Sequence, residues 1–144
     1  LSLHDALPIL TGDQTAARES IVDGVRVVHV RTIDKKGLAA LSSSFFATFA
    51  AIRQHPDVIH YHAEGPCVPL RLAHLMGIRT VATIHGLDWQ RAKWGKLAST
   101  YIKLGEKAAA KKADGLIVLS RSAERYFKDV YGRDSIVIPN GMDR

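Results

Sequence analysis

The chain is 144 residues long and 47% apolar, and its formal charge is +6, from 20 Lys and Arg against 14 Asp and Glu. This length suits one domain that buries about two-thirds of its unfolded surface, and the apolar content excludes intrinsic disorder. The single cysteine, Cys67, excludes a disulfide scaffold or a zinc site built on several thiolates. No run of 18 apolar residues predicts a membrane-spanning helix. A pI near 9.7 favours an anionic partner, such as nucleic acid, a phosphorylated ligand or a membrane surface.

The two ends of the sequence differ from its middle. Residues 1–9, LSLHDALPI, resemble the translation of a short-read sequencing adapter, and we expect them to be an assembly artefact. They lack the basic stretch and the unbroken apolar run of a signal peptide. Residues 139–144 contain Pro and Asn-Gly, which are typical of turns, and we expect them to begin an interdomain linker. We therefore expect a partial domain over residues 10–138.

Predicted strands and helices alternate along this domain. Pro56 is expected to end the first helix and Gly77 the second, through a left-handed cap. Ser120 is the predicted N-cap of the last helix, with Glu124 in its first turn. Strands are predicted at 25–30, 57–62, 79–85, 115–119 and 135–138, and helices at 38–54, 66–76, 95–112 and 121–131. This alternation predicts an α/β fold, with a parallel sheet covered by helices on both faces and ligands at the carboxyl ends of the strands.

Histidines mark two of the predicted strand ends. His60 and His62 share one side of the second strand, because side chains two apart point the same way. His60 suits a buried, hydrogen-bonded core histidine, whereas His62 is equally compatible with a core role and a site role. His85 follows the third strand and precedes Gly86, a residue type that lets backbone approach a ligand closely. We predict that His85 faces a ligand, as a hydrogen-bond donor or a proton carrier.

Metal binding and thiol chemistry are two alternatives at these positions. His62, Glu64 and His85 are ligand types that suit zinc. Their spacing matches no zinc signature, so no metal is expected. Cys67 follows Gly65 and a proline at a helix start, where a thiol can be activated. A lone cysteine is more often a small buried hydrophobe, and we favour that interpretation.

The segment after His85 is aromatic and basic. Its distinctive residues are Trp89, Arg91, Lys93 and Trp94. Two indoles and two cations form a surface suited to stacking on a ring and pairing with phosphate or carboxylate. The alternative is a Trp-anchored loop packed on the sheet with solvated cations.

The longest predicted helix carries a stripe of lysines. This lysine stripe consists of Lys96, Lys103, Lys107 and Lys111. Its members fall within roughly 80° of one another at about 100° per residue. The apolar face is expected about a quarter-turn away, at Leu97, Tyr101, Leu104 and Ala108. The stripe is either a solvated surface or a contact for anionic lipid headgroups, worth about 1 kcal/mol per cation.

Several motifs are missing from the sequence. It contains no G-x-G-x-x-G after the first strand, no P-loop and no G-x-S-x-G elbow. Their absence removes the main support for an oxidoreductase or epimerase, a P-loop enzyme and an α/β-hydrolase. No nucleic-acid-binding module is recognisable, so we do not expect nucleic acid as the partner.

Residues 80–120, TVATIHGLDWQRAKWGKLASTYIKLGEKAAAKKADGLIVLS, followed by VIPNGMD, carry a family resemblance. They resemble the N-terminal half of bacterial retaining glycosyltransferases of family 4, and more narrowly the rhamnosyltransferase-like subgroup of cell-surface polysaccharide biosynthesis. The resemblance spans residues 24–143. It implies a GT-B fold, in which an N-terminal Rossmann-like domain holds the acceptor and a C-terminal domain binds the nucleotide-sugar. The family's first strand, its glycine-rich loop and its donor domain have no counterpart in the sequence, so the resemblance implies that this chain alone is inactive.

The resemblance also implies roles for individual residues. His85 matches the family's histidine beside the transferred sugar and is the expected catalytic residue. Other residues are expected to line the acceptor side: His62, Glu64, Gly65, Gly86, Asp88, Trp89, Arg91, Lys93, Ser120 and Arg121. The family is usually ascribed front-face attack assisted by the leaving phosphate, so neither a side-chain nucleophile nor a cofactor beyond the nucleotide diphosphate sugar is expected.

Together these features predict the partners and the location of the parent enzyme. It is expected to transfer a hexose or deoxyhexose to a saccharide or a polyprenyl-diphosphate-linked acceptor. It would act in the cytoplasm, peripherally at the inner face of the plasma membrane, where the lysine stripe would contact anionic lipid. The alternative is a saccharide- or membrane-binding Rossmann-like module without catalysis.

Overall fold

A computed structural model describes residues 9–11, 19–33, 38–87 and 95–141. The chain divides into two compact units between His55 and Pro56. The boundary falls where the predicted first helix has ended. His55, which precedes the proline, has a positive φ of 48°.

The first unit is a three-stranded sheet with one helix. Its elements are β1 (Ile9–Thr11), β2 (Glu19–Val22), β3 (Val25–His29) and α1 (Ala39–Ile52). The strand order is β1-β3-β2, with β1 parallel and β2 antiparallel to β3. β1 begins at the last residue of the segment interpreted above as adapter. The predictions of β3 and α1 are confirmed, whereas β1 and β2 were not predicted.

A two-residue turn explains how β2 reaches β3. Asp23 and Gly24 both have positive φ, 51° and 80°, which is the geometry of a hairpin turn whose twist matches that of the strands. Asp-Gly between two apolar pairs is a strong sequence signal for such a turn. The prediction of a single strand at 25–30 overlooked it, because Glu19 and Ser20 make β2 look polar.

The second unit is a parallel four-stranded sheet with three α-helices. Its elements are β4 (Val58–His62), a 3-10 turn (Gly65–Cys67), α2 (Leu70–Leu75), β5 (Arg79–Ile84), α3 (Lys96–Lys112), β6 (Gly115–Val118), α4 (Arg121–Tyr131) and β7 (Ile136–Val137). The order is β4-β5-β6-β7, with every pair parallel. The amide of Thr80 donates to Asp114 Oδ2 at 2.7 Å, and the amide of Asp114 donates to the Thr80 carbonyl at 2.8 Å. This exchange fixes the register at the start of β5 and β6.

One face of this sheet forms the core of the second unit. Alternate residues on three strands are buried against side chains from all three helices. The strand members are Tyr61, Ala82, Ile84, Leu116 and Val118, and the helical members include Leu70, Ala109, Ala123 and Phe127. Phe127 has no exposed surface. The predicted α/β class is confirmed: the parallel sheet is flanked by helices in a Rossmann-like arrangement.

The predicted helix at 66–76 is wrong in its first half. The chain there forms the 3-10 turn and then a short α-helix. Pro69 lies between them and has no amide to donate, so a continuous ladder of helical hydrogen bonds is interrupted. The predicted stop is confirmed, since Gly77 has a φ of 76°. At α4 the predicted N-cap is also confirmed, because Ser120 Oγ accepts from the amide of Ala123 at 3.2 Å.

The predicted apolar face of α3 is wrong at its two leucines, whereas its member Ala108 is buried. Leu97 is 89% exposed and Leu104 is 53% exposed. The buried side is lined mainly by small residues and one carboxylate: Ile102, Gly105, Glu106, Ala108, Ala109 and Ala110. Small residues let α3 approach its neighbours closely, and that requirement outweighed the larger hydrophobicity of the leucines.

Candidate active site

The carboxyl ends of β4, β5 and β6 lie side by side. β4 ends at His62, β5 runs into His85, and β6 is followed by Ser120. In the register of β4 and β5, His62 pairs with Thr83. Strand alternation therefore places both histidines of β4 on the same face as Thr83, opposite the core residues. His85, two residues beyond Thr83, extends this polar face past the strand.

On this face the imidazole of His62 contacts those of His60 and His85. We call His60, His62 and His85 the histidine array. The ring centroids of His60 and His62 are 4.2 Å apart, with the ring planes 32° from parallel. His62 Nδ1 lies 3.4 Å from His85 Nε2. His60 Nε2 lies 2.7 Å from Oγ1 of Thr83, a residue that is 6% exposed. The array is thus tied to the interior of the sheet at one end and exposed at the other.

The array favours the neutral forms of His60 and His62. Partial burial lowers the pKa of His60, and the neighbouring His62 and His85 lower it further. Burial and then His85 lower the pKa of His62. A positive charge on one ring makes a second charge unfavourable at these distances. His60 is hydrogen-bonded as predicted, but it is exposed rather than buried.

The backbone turns sharply directly after His62. Ala63 has a φ of 69°, in the left-handed region that alanine rarely adopts, and its amide donates to the Thr83 carbonyl at 2.9 Å. Glu64 then enters the interior and is 1% exposed. α3 passes so close that a Cβ on Gly105 would lie 1.8 Å from the Glu64 carbonyl oxygen. The packing of α3 therefore supports the end of β4.

A second buried carboxylate lies on α3. Glu106 has no exposed surface and accepts from the hydroxyls of Tyr126 at 2.8 Å and Tyr131 at 2.6 Å. Burial and the Glu106 contact raise the pKa of Tyr126 to about 12. This cluster was not predicted from the sequence. The sequence feature that indicates it is the helical spacing of Ile102, Glu106 and Ala109, which places the carboxylate on the buried side of α3.

The structure brings together only some of the predicted site residues. His62 and His85 are in contact, and Gly86 follows with open space where a Cβ would be. Glu64 points into the interior instead, and Gly65 lies in the 3-10 turn. At the end of β6, Ser120 caps α4. The side chain of Arg121 is 74% exposed and forms an ion pair with Glu124 at 3.0 Å.

Other predictions fall outside the described residues or concern chemistry away from the array. Asp88, Trp89, Arg91 and Lys93, with Trp94, lie outside the described part of the chain. Within the described ranges, no group of three His, Cys, Asp or Glu side chains could hold a metal ion. Cys67 is completely buried, and burial with the nearby Glu64 raises the pKa of its thiol to about 12. It is a buried hydrophobe rather than an activated nucleophile.

The lysine stripe is exposed along its whole length. Leu97 and Leu104 fall within about 20° of each other around α3, next to Lys111. Lysines and exposed leucines therefore share one surface of the helix. None of the helices in the described ranges is both long and apolar enough to cross a membrane.

Comparisons with known proteins identify the family of the chain and, separately, its fold. The sequence profile of Glycosyltransferase Family 4 matches residues 6–144. The chain belongs to glycosyltransferase family 4. Among solved structures, sucrose-phosphate synthase from Thermosynechococcus elongatus matches with a TM-score of 0.62 and 15% sequence identity, over 94% of this chain and 76% of that chain. A search of curated proteins gives no significant match.

The two comparisons support different statements about the chain. The structural likeness, at this low identity, concerns the fold, which is the Rossmann-like half of a GT-B glycosyltransferase. The family supplies the activity, which is glycosyl transfer from a sugar donor to an acceptor. In α/β sheets of this kind, ligands bind outside the carboxyl ends of the strands, which is where the array lies.

Proposed function

We propose that this family 4 chain is the acceptor-side half of a bacterial retaining glycosyltransferase of the rhamnosyltransferase-like subgroup. The complete enzyme transfers a hexose or deoxyhexose from a nucleotide diphosphate sugar to a saccharide or a polyprenyl-diphosphate-linked acceptor of cell-surface polysaccharide. The observation that carries the proposal is the exposed His85, in contact with His62 at the carboxyl edge of the sheet. Donor binding belongs to a second half of the enzyme, so this chain alone is inactive.

His85 acts as a hydrogen-bond donor to the transferred sugar. A neutral imidazole can donate from one ring nitrogen and accept at the other. Catalysis in a front-face mechanism needs no side-chain nucleophile. It rests on holding acceptor and donor together and on stabilising the departing diphosphate. The proposal assigns acceptor contacts to Trp89, Arg91 and Lys93, on the segment that follows His85.

A transfer assay tests this proposal. The complete enzyme is incubated with nucleotide diphosphate hexoses and deoxyhexoses and with polyprenyl-diphosphate-linked saccharides, and the product is analysed by NMR. We expect one sugar to be transferred with the anomeric configuration of the donor kept. Inversion would contradict the retaining assignment, and absence of transfer from every donor would contradict the enzymatic proposal. The 144-residue chain assayed alone should give no product.

A second surface favours association with a membrane. The lysine stripe and the exposed Leu97 and Leu104 lie together on α3. Lysines attract anionic headgroups, and exposed leucines beside them can enter the headgroup boundary, as in amphipathic helices that lie on membranes. We assign this surface to the cytoplasmic face of the plasma membrane, where a lipid-linked acceptor would be found. The same surface would serve a membrane-binding module without catalysis.

Vesicle flotation tests the membrane contact. The chain should float with vesicles of mixed anionic and neutral phospholipid but not with neutral vesicles. Charge reversal of Lys103, Lys107 and Lys111 to Glu should abolish flotation. A matched control reverses three exposed arginines elsewhere in the second unit, Arg71, Arg79 and Arg125. Equal loss in both triple variants would show that net charge alone drives binding, and no loss in the lysine variant would refute the assignment.

A further inference from the structure

The two ring nitrogens of His85 have different surroundings. Nε2 lies 3.4 Å from Nδ1 of His62, at the long end of hydrogen-bond distance. A neutral imidazole carries one hydrogen, on either Nδ1 or Nε2, and accepts at the other nitrogen. A hydrogen bond across this contact therefore couples the tautomers of the two rings, because one ring must donate and the other must accept.

We propose that His62 is a positioning residue, whose Nδ1–H donates to Nε2 of His85 and so keeps the hydrogen of the neutral His85 ring on Nδ1. The direction of this bond rests on the proposed function. If His85 donates to a sugar hydroxyl while Nε2 is occupied by His62, the donating nitrogen is Nδ1. His62 then determines which end of the His85 ring the sugar meets, without touching the sugar itself.

The orientation of His62 is itself held by the sheet. His60 Nε2 contacts the buried Thr83 hydroxyl at 2.7 Å, which fixes the ring of His60. That ring packs against His62, with centroids 4.2 Å apart and the ring planes tilted by 32°. His62 is thus held by the packed ring of His60 on one side and by the contact with His85 on the other. Such support from neighbouring groups is how a donor is kept in one geometry before substrate arrives.

The groups around His62 favour the neutral form of its imidazole. The pKa of His62 is lowered by burial and by His85, and that of His60 by burial, His62 and His85. Glu64, the nearest acidic residue along β4, is buried in the interior, and Arg121 beyond β6 is paired with Glu124. At pH 8, above the lowered pKa values of His60 and His62, these two imidazoles should therefore be neutral, and the His62 ring should show one tautomer.

Imidazole NMR of the chain tests the inference without any transfer reaction. Two-bond ¹H–¹⁵N correlation spectra at pH 8 distinguish the Nδ1–H and Nε2–H tautomers, and a His85→Gln variant assigns the His85 signals. We expect mainly Nδ1–H on His85 in the wild-type chain. His62→Phe, which keeps a ring but has no donor, should shift His85 to the Nε2–H form that an unrestrained imidazole prefers. His62→Asn places an N–H where Nδ1 was and should restore Nδ1–H.

A matched control and two outcomes decide the test. His74→Phe changes an exposed histidine on α2 and should leave the His85 signals unchanged. An Nε2–H tautomer of His85 in the wild-type chain would overturn the proposal. The same tautomer in wild type, His62→Phe and His62→Asn would also overturn it, because His62 would then have no influence on His85.

Kinetics of the complete enzyme separate this inference from the proposed function. His62→Phe should lower kcat by about 2- to 12-fold, the range to which one neutral hydrogen bond converts, and His62→Asn should recover most of that loss. In the His85→Ala background, His62→Phe should add little, because the two residues act as a unit. If the NMR shift occurs but His85→Ala leaves transfer intact, the positioning holds and the proposed function fails.

Discussion

Replacing Gly105 with alanine should destabilise the chain, although the same change in an ordinary helix would stabilise it. Alanine is favoured over glycine by about 1 kcal/mol within a helix. At this position, however, the new Cβ would lie 1.8 Å from the carbonyl oxygen of Glu64 and 2.8 Å from its carbonyl carbon. Both are backbone atoms, so relief requires α3 or the turn after β4 to retreat by at least about 1.2 Å to reach 3.0 Å.

The size of the destabilisation is the cost of overpacking minus the gain in helix propensity. Overpacking of a closely packed interior costs about 1–3 kcal/mol and sometimes more. Because the backbone atoms of Glu64 cannot rotate away as a side chain can, we take the upper end of this range of overpacking costs. After the helix-propensity gain is subtracted, the free energy of unfolding should fall by about 2 kcal/mol. For a chain of this size that loss lowers Tm by about 4–8 °C. The displaced Glu64 would also disturb His62, two residues before it.

Urea unfolding followed by circular dichroism measures this loss, and imidazole NMR reports the effect on His62. The control is Gly86→Ala, where the Cβ meets open space and the free energy of unfolding should change by less than about 0.5 kcal/mol. If Gly105→Ala stabilises the chain by about 1 kcal/mol, the close approach of α3 to Glu64 does not exist, and our account of how β4 is supported is wrong.

Three further predictions concern the buried groups and the histidine array. Tyr131→Phe removes a 2.6 Å donor from the buried Glu106 carboxylate and should lower the free energy of unfolding by about 1.5–3 kcal/mol in urea titrations; a negligible change would mean that this contact is not made. Cys67, with its pKa raised to about 12, should resist iodoacetamide in the native chain at about pH 8 and react in urea; rapid native labelling would contradict its burial. Because the folded pKa values of His60 and His62 lie below 6.5, the unfolded chain binds more protons and stability falls as pH drops through 6.5. The double variant His60→Gln/His62→Asn should therefore lose less Tm between about pH 7.5 and about pH 5.5 than the wild type, and an equal loss would refute the lowered pKa values.

Strand and helix alternation in the second unit could be predicted because its strongest signals are local. β6 is an apolar run, Gly77 sits at a left-handed cap, and Ser120 precedes an amphipathic helix. β2 was missed because its pairing depends on the Asp23–Gly24 turn more than on its own composition. The 3-10 turn before Pro69 was missed because the apolar spacing continues across the proline.

The candidate site was predictable in part. His85 stands out in the sequence because it follows a strand and precedes glycine. Its contact with His62 depends on the register of β4 against β5, which sequence spacing does not specify. Leu97 was expected on the apolar face but is exposed, and the burial of Glu106 was not predicted. Both follow from weighing hydrophobicity without the close packing that Gly105 and the alanines of α3 permit.

The central claim is that His85 acts directly in glycosyl transfer at the carboxyl edge of the sheet. The most direct test compares kcat/KM for sugar transfer by the complete enzyme carrying His85→Ala with that of the wild type, using His74→Ala as the control for loss of an exposed imidazole. We predict a loss of at least about tenfold, equal to about 1.4 kcal/mol of transition-state stabilisation, and no loss in the control. Wild-type transfer by His85→Ala would contradict the account.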